Sequence, residues 1–266
     1  MLADSMVTAY LDRIAAQRPA TADLEGLRGI QSRHLYSVPF ENLGYHLGEE
    51  IHMDERSVDK VVIERRGGGC YELNPALSHL LTALGYEVSL MPGRVWIKGE
   101  LTAPLCHLAL KVRLEGRAWL VDVGFGRNSR FPLDLGTRDP QTDPHGEYRI
   151  VPAWDGGSDV SANGALQYRV YDVPCSVADF GPTLWWYRTA PDSPFLQNLF
   201  CSLPTDGGRV TLKGDRFTEV VGDERYTRRL LDEAEVREVY GKRFGITLER
   251  LPATDVGNGT VRMSFE

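Results

Sequence analysis

The chain has 266 residues, 42% of them hydrophobic and 25% charged, the balance of a globular protein with a substantial core. A net charge of −7 without any basic stripe argues against nucleic acid as a partner. No apolar run nears the roughly 18 residues of a membrane span, and Met1–Tyr10 lacks a charged segment followed by an apolar one. The expectation is a cytoplasmic protein with neither leader nor membrane contact.

The first third reads as helical. Val7, Tyr10, Leu11 and Ile14 form one apolar stripe ending near Arg18-Pro19. Leu24, Leu27 and Ile30 predict a second, short helix. A third stripe, Leu73, Leu77, Leu80, Leu81 and Leu84, stops at Gly85, with Cys70 at its start after Gly67-Gly68-Gly69. Period two then takes over. Residues 86–97 contain strand formers interrupted by Pro92-Gly93, and 107–113 with 118–123 read as a hairpin turning at Glu115-Gly116. Strands follow at Tyr148–Val151 and Ala165–Val173, with Asp155–Asn163 between them as an exposed loop. Residues 183–201 are aromatic and partly helical around Pro191 and Pro194. Strands at 209–213, 216–221 and 225–231 turn at Gly214-Asp215 and Gly222-Asp223, and a last helix runs from about Asp232 to Phe244. The order is helical, then antiparallel β, then mixed.

Cys70 is the residue with the clearest chemistry. Three glycines before it permit a sharp turn and leave room for a substrate. The helix it opens offers free N–H groups and a positive dipole end, which favour thiolate over thiol, and Arg65 and Arg66 add to that field. Pro75, one turn on, removes a helix donor and predicts a kink or an irregular first turn with Asn74 as a local cap. A nucleophilic cysteine needs a base and a group that orients it. With the hairpin turn at Glu115-Gly116, Asp122 opposes Ala109 and lies diagonal to His107 on one face, within side-chain reach. That geometry serves equally as a purely structural His–Asp bond. The other histidines (His34, His46, His52, His79 and His145) have no carboxylate so placed. No Cys/His spacing suits zinc, so no metal is expected. The four cysteines, Cys70, Cys106, Cys175 and Cys201, lie far apart, and a reducing compartment argues against a disulfide. Gly124-Phe125-Gly126-Arg127-Asn128-Ser129 lacks the third glycine and the following helix of a dinucleotide loop, and reads instead as a flexible turn beside the active site.

Taken together, the motifs resemble those of the arylamine N-acetyltransferases. The matching segments are Val38-Pro39-Phe40-Glu41-Asn42-Leu43, Arg66-Gly67-Gly68-Gly69-Cys70-Tyr71-Glu72-Leu73-Asn74, His107-Leu108 and Val121-Asp122-Val123-Gly124-Phe125-Gly126. Weaker similarity continues through Trp186-Tyr187, Ser193-Pro194-Phe195 and Arg209-Val210-Thr211-Leu212. The resemblance implies an α+β fold: an N-terminal helical bundle (1–85), a central antiparallel β-barrel (86–182) and a C-terminal α/β lid (183–266), around a cysteine-protease-like Cys-His-Asp core. It implies catalysis by Cys70, His107 and Asp122 in a ping-pong transfer from acetyl-CoA, a co-substrate, to a small aromatic amine, with no bound cofactor. It further implies acceptor walls at Phe40, Phe125 and Phe195, and a donor or oxyanion region at Cys106, Gly126, Arg127, Asn128 and Ser129. Cys106 stands where relatives commonly have threonine; a backbone N–H survives that change and a hydroxyl does not. Glu41 and Arg66 would be an ion pair behind the Cys70 loop.

Gly69, at a position often large in relatives, and the compact loop between Val95 and His107 would both open the pocket. The same three residues also serve amide synthases, which close a carrier-protein-bound polyketide onto an aromatic amine as a macrolactam. A cysteine hydrolase is the competing class, and a binding module with a decayed site is disfavoured by the intact Cys70, His107 and Asp122.

Overall fold

The computed structural model describes residues 2–253; Met1 and residues 254–266, the end of the expected lid, lie outside the described part. Helix α1 spans Asp4–Arg13 and α2 Leu24–Ser37. The α1 stripe stops short of Arg18-Pro19, because Ile14 caps the helix and Ala15 turns to φ +52°. The second helix is longer than its three leucine and isoleucine positions suggest. Strand β1 (Phe40–Glu41), α3 (Leu43–Leu47) and α4 (Arg56–Val62) lead to α5 (Cys70–Ala83). Leu73, Leu77, Leu80 and Leu81 of α5 are wholly buried, and Gly85 ends the element at φ +91°. Pro75 sits inside α5, which continues past it.

The β region runs β2 (Glu87–Ile97), β3 (Glu100–Leu101), β4 (His107–Leu114), β5 (Arg117–Val121), β6 (Leu133–Asp134), β7 (Gln141–Asp143), β8 (Gly146–Pro152), β9 (Ser158–Ala162) and β10 (Ala165–Val170). Two expectations are corrected here. Pro92-Gly93 does not interrupt β2, since both residues pair with β4, Gly93 opposite His107. The stretch expected as an exposed loop, Asp155–Asn163, contains β9, paired to β8 and β10, with Asp159 and Val160 buried. Its polar letters mislead because Arg169 holds Asp159 with two bonds, at 2.9 and 2.8 Å, and the Trp96 indole N–H adds a third at 2.8 Å. A buried carboxylate so satisfied no longer needs water.

These strands form one antiparallel sheet in the order β6-β5-β4-β2-β10-β9-β8-β7, with β3 off β2. The sheet curls until its two ends meet. The Gln141 side chain on β7 accepts from Asp134 N (2.7 Å) and donates to Asp134 O (3.0 Å) on β6, closing a barrel. The β4–β5 hairpin is the shared wall. Leu108, Leu110, Val112, Trp119 and Val121 pack with the helices, whereas Ala109 and Leu120 face the barrel core with Met91, Tyr148, Ile150 and Tyr168.

After a 3₁₀ turn (Val177–Phe180) come α6 (Gly181–Thr189), α7 (Pro194–Gln197), β11 (Phe200–Thr205), β12 (Gly208–Lys213), β13 (Arg216–Val221), β14 (Glu224–Arg229) and α8 (Glu233–Phe244). A second sheet has the order β1-β11-β12-β13-β14, so the chain's early strand β1 anchors the late ones. Val210, Leu212 and Phe217 pack one face of this sheet against Val236, Val239, Tyr240 and Phe244 of α8. Among the described residues no helix is long and apolar enough to cross a membrane.

Candidate active site

Cys70 is the first residue of α5 and 6% exposed. The glycines before it do not make the sharp turn expected of them. Gly67 and Gly68 run as a strand-like segment beside Pro39–Glu41, with Glu41 N donating to Gly68 O at 3.1 Å. They are needed for close approach: a Cβ on Gly67 would lie 1.9 Å from Pro39 O, and one on Gly68 would lie 2.6 Å from Glu72 Oε2. Gly69 is different. Its Cβ would meet only the Phe195 ring, at 3.6 Å, so this position has room for a side-chain carbon.

Buried charges hold the loop. Arg66 donates to Glu41 Oε1 (3.1 Å), and Leu43 N donates to Glu41 Oε2 (2.6 Å). Burial works against the Glu41 charge, but Arg66 and Lys60 hold its carboxyl below the usual range. Lys60 Nζ lies 2.5 Å from Glu72 Oε1, while Glu72 Oε2 accepts from Gly69 N at 3.1 Å, capping α5 just before the cysteine. Burial disfavours the Lys60 cation too, and Glu72 and Glu41 more than restore it.

His107 begins β4, and the β4–β5 register, Leu110 opposite Val121, carries on to set Asp122 against Ala109. His107 Nε2 donates to Asp122 Oδ2 at 2.8 Å, with both residues at 3% exposure or less. A carboxylate only accepts, so Nε2 carries the proton and Nδ1 is left open, with Cys70 close enough to act on the charge of the ring. Burial lowers the His107 pKa, but the Asp122 carboxylate and Cys70 override it and raise it to about 10. Burial likewise raises the Asp122 pKa, and His107, Asn74 and Gly124 N bring it below the usual value. Phe125 and Tyr168 wall the imidazole at ring distances of 5.4 and 4.7 Å. Gly93 leaves the space for it, since a Cβ there would come within 3.3 Å of His107 Cβ.

Asn74 is not the local cap expected of it. Its Nδ2 donates to Leu108 O (2.6 Å) and Asp122 Oδ1 (2.9 Å), and its Oδ1 accepts from Val123 N (3.0 Å). One side chain thus ties the cysteine's helix to the strands of His107 and Asp122. A signal for this exists in the sequence, because Asn74 lies four residues after Cys70 on the same helix face.

Phe195 stacks on Tyr45 at 4.9 Å, and Phe40 stacks on Phe200 at 5.2 Å while closing over Gly126. Phe125 packs edge-on against the His107 ring, and the Phe195 ring lies beside Gly69, next to Cys70. Asn128 and Ser129 are buried, Asn128 Oδ1 accepting from Gly126 N and Ser129 Oγ donating to Phe131 O; Arg127 is exposed. Cys106 is buried, and all four cysteines are free.

Sequence reasoning missed a cationic surface. Alternation along β12 puts Arg209, Thr211 and Lys213 on the face opposite the α8 core, and the register aligns Arg216 and Thr218 of β13 with them. Arg209 donates to the Ser202 hydroxyl (2.9 Å) and pairs with no carboxylate among the described residues. Burial, and then Arg127, push its pKa down to about 10; burial and Arg127 lower that of Lys213 too. Positive groups crowded in this way favour an anion between them. An open cavity of about 580 Å³ lies elsewhere, bounded by Arg117, Asp134 and Asp172, and is lined by none of Cys70, His107, Asp122, Arg209 and Lys213. No cluster of three His, Cys, Asp or Glu side chains among the described residues forms a metal ligand set.

A family model described as N-acetyltransferase matches residues 23–252. The arylamine N-acetyltransferase of Escherichia coli (strain K12) is 33% identical over 248 residues, covering 90% of this chain and 88% of that one. The solved structure of arylamine N-acetyltransferase from Salmonella typhimurium superposes with a TM-score of 0.84 at 29% identity, covering 97% of this chain and 96% of the other. That of Mycobacterium marinum in complex with CoA gives 0.81 at 32% identity, with 90% and 92% covered. The chain belongs to the arylamine N-acetyltransferase family and is an acyl-transferring enzyme of that kind.

Proposed function

We propose that this enzyme acetylates aromatic amines by a ping-pong reaction through Cys70, with acetyl-CoA as donor. The observation that carries the reading is His107 bound to Asp122 at 2.8 Å and close enough to Cys70 to feel its charge, all three buried. With its pKa near 10, His107 is an imidazolium at neutral pH, and a cation beside the sulfur is the setting in which cysteine reacts as thiolate. The sulfur attacks the thioester carbonyl, and the negative charge moves onto its oxygen. As the carbonyl re-forms, the CoA–sulfur bond breaks and His107 Nδ1 hands its proton to the departing CoA thiolate. Neutral His107 then takes a proton from the amine as its nitrogen attacks the acyl-cysteine, releasing the amide and restoring the starting pair. Asp122 fixes the proton on Nε2 throughout.

In this reading 1–85 supply the nucleophile, 86–182 the base and its orienter, and 183–266 part of the substrate cleft. The rings of Phe40, Phe125 and Phe195 suit a flat aromatic acceptor through offset or edge-on contacts. The exposed Arg127 with Arg209 and Lys213 suits the phosphates of the donor. Glu41 and Arg66 brace the nucleophile loop.

Intact-mass spectrometry after incubation with acetyl-CoA tests the proposal. The expected result is one acetyl adduct, a gain of about 42 Da by the covalent-intermediate logic. It should be absent in Cys70→Ala and discharged by an aromatic amine. Acylation only by a long-chain thioester would replace this reading with an amide synthase, and discharge to water at the same rate with or without amine would replace it with a hydrolase.

A further inference from the structure

We propose that Tyr71 and Tyr187 are positioning residues: together they clamp the Leu105–Cys106–His107 backbone so that the Cys106 N–H stands ready for the oxygen of the acyl group attacked by Cys70. The inference rests on the acyl-enzyme reading above and assigns a task to two hydroxyls which that reading leaves unused.

Two successive carbonyls, those of Leu105 and Cys106, each accept a hydrogen bond from a tyrosine hydroxyl. Tyr71, the residue after the nucleophile, donates to Leu105 O, and Tyr187, on α6, donates to Cys106 O at 3.0 Å. The two donors come from elements far apart in the chain and converge on one short segment. Both tyrosines are buried, at 1% and 6% exposure, and their rings meet edge-on at 5.9 Å. Phe180 packs on Tyr71 at 5.4 Å and Phe195 on Tyr187 at 4.8 Å, and Ser193 Oγ holds the Tyr187 carbonyl at 2.6 Å. Neither hydroxyl can swing away without breaking this packing.

The segment they hold is strained. Leu105 has φ +64°, a left-handed conformation that costs a side chain with a Cβ about 1–2 kcal/mol. In a trans peptide the C=O and N–H of one plane point in opposite directions. Fixing the Leu105 carbonyl toward Tyr71 therefore fixes the Cys106 N–H away from it. That N–H, in a buried residue, donates to no group among the described residues. Backbone N–H groups inside a protein are nearly always paired, so one left open is free to meet a ligand. It sits one residue before the base, and both tyrosines lie within electrostatic reach of Cys70 and Cys106 alike. A donor held still before the reaction stabilises the developing oxyanion without first having to reorganise.

Alkylation and acylation separate this role from a merely structural one. Iodoacetamide displacement needs the thiolate but forms no oxyanion, whereas attack on a thioester forms one. Tyr71→Phe and Tyr187→Phe keep the rings and remove the hydroxyls. The expected result is alkylation of Cys70 within about twofold of wild type and single-turnover acylation by acetyl-CoA slowed about 10–100-fold, with KM little changed. Equal losses in both reactions would make the tyrosines supports of the thiolate or of the fold, and the role would fall. Acylation as fast as wild type in both variants would also overturn it. A wild-type chain alkylated at Cys70 but acylated by no thioester would overturn the acyl-enzyme reading, and this role with it.

Discussion

Asp122→Asn isolates the electrostatics on which the proposed chemistry depends. In the wild type, Asp122 Oδ1 accepts from Asn74 Nδ2 (2.9 Å) and Gly124 N (2.8 Å), while Oδ2 faces His107 Nε2 at 2.8 Å. Asparagine keeps a carbonyl for the first two donors, which turns its NH₂ toward His107. The imidazole must then leave Nε2 bare and carry its proton on Nδ1, facing the sulfur it should deprotonate. Burial also opposes a charged imidazole, and the carboxylate is the main reason the pKa stands at about 10 rather than below 6.5. That rise stabilises the imidazolium by on the order of 5 kcal/mol. Because the folded pKa is raised, this stabilisation is complete below pH 6.5 and is lost as pH climbs through about 10. Wild-type unfolding free energy, followed by urea denaturation, should therefore fall across that window, and the variant should lack the fall. Acylation at pH 7 should drop about 10²–10⁴-fold. A variant with the wild-type pH dependence of stability and an acylation rate within threefold of wild type would overturn this electrostatic account.

Asn74→Ala leaves Leu108 O, the Asp122 carboxylate and Val123 N each short of a partner in the interior. Denaturation should show a loss of about 2–4 kcal/mol, and a loss below about 1 kcal/mol would mean that water replaces the amide. Gly124→Ala should fail to give folded, acylatable enzyme, because its Cβ would lie 2.4 Å from Cys70 Cα. Gly69→Ala, with 3.6 Å to Phe195, should fold normally and raise KM for bulky amines in particular. Arg209→Gln and Lys213→Gln should each raise KM for acetyl-CoA about tenfold, the equivalent of one charge-assisted contact. Neither should affect a short acetyl thioester without phosphates; an equal effect on both donors would mean that these cations do not hold phosphate.

Much of the site is legible in the amino-acid sequence. The hairpin register that brings His107 to Asp122 follows from one turn, at Glu115-Gly116, and the observed pairing of Leu110 with Val121 keeps it. Local periodicity carries such information because i,i+4 and cross-strand neighbours are defined within a few residues. The leucine stripe of α5 and its stop at Gly85 are readable for the same reason.

What stays hidden depends on partners far away in the chain. Ser158–Ala162 reads as a loop until Arg169 and Trp96 satisfy Asp159, and no local pattern announces that. Pro92 reads as a break until β4 pairs across it. Arg209 and Lys213 look like ordinary polar letters between core residues, and only the sheet's packing on α8 turns them to a common face with Arg216. Tyr71 and Tyr187, on α5 and α6, meet on consecutive carbonyls only in three dimensions. Residue type and local spacing were enough to name Cys70, His107 and Asp122 as groups that could react, since each lies in a short, patterned segment. Their charge states, and the support around them, came from the packed chain alone, because burial and distant charges set the electrostatics and neither exists until the segments meet.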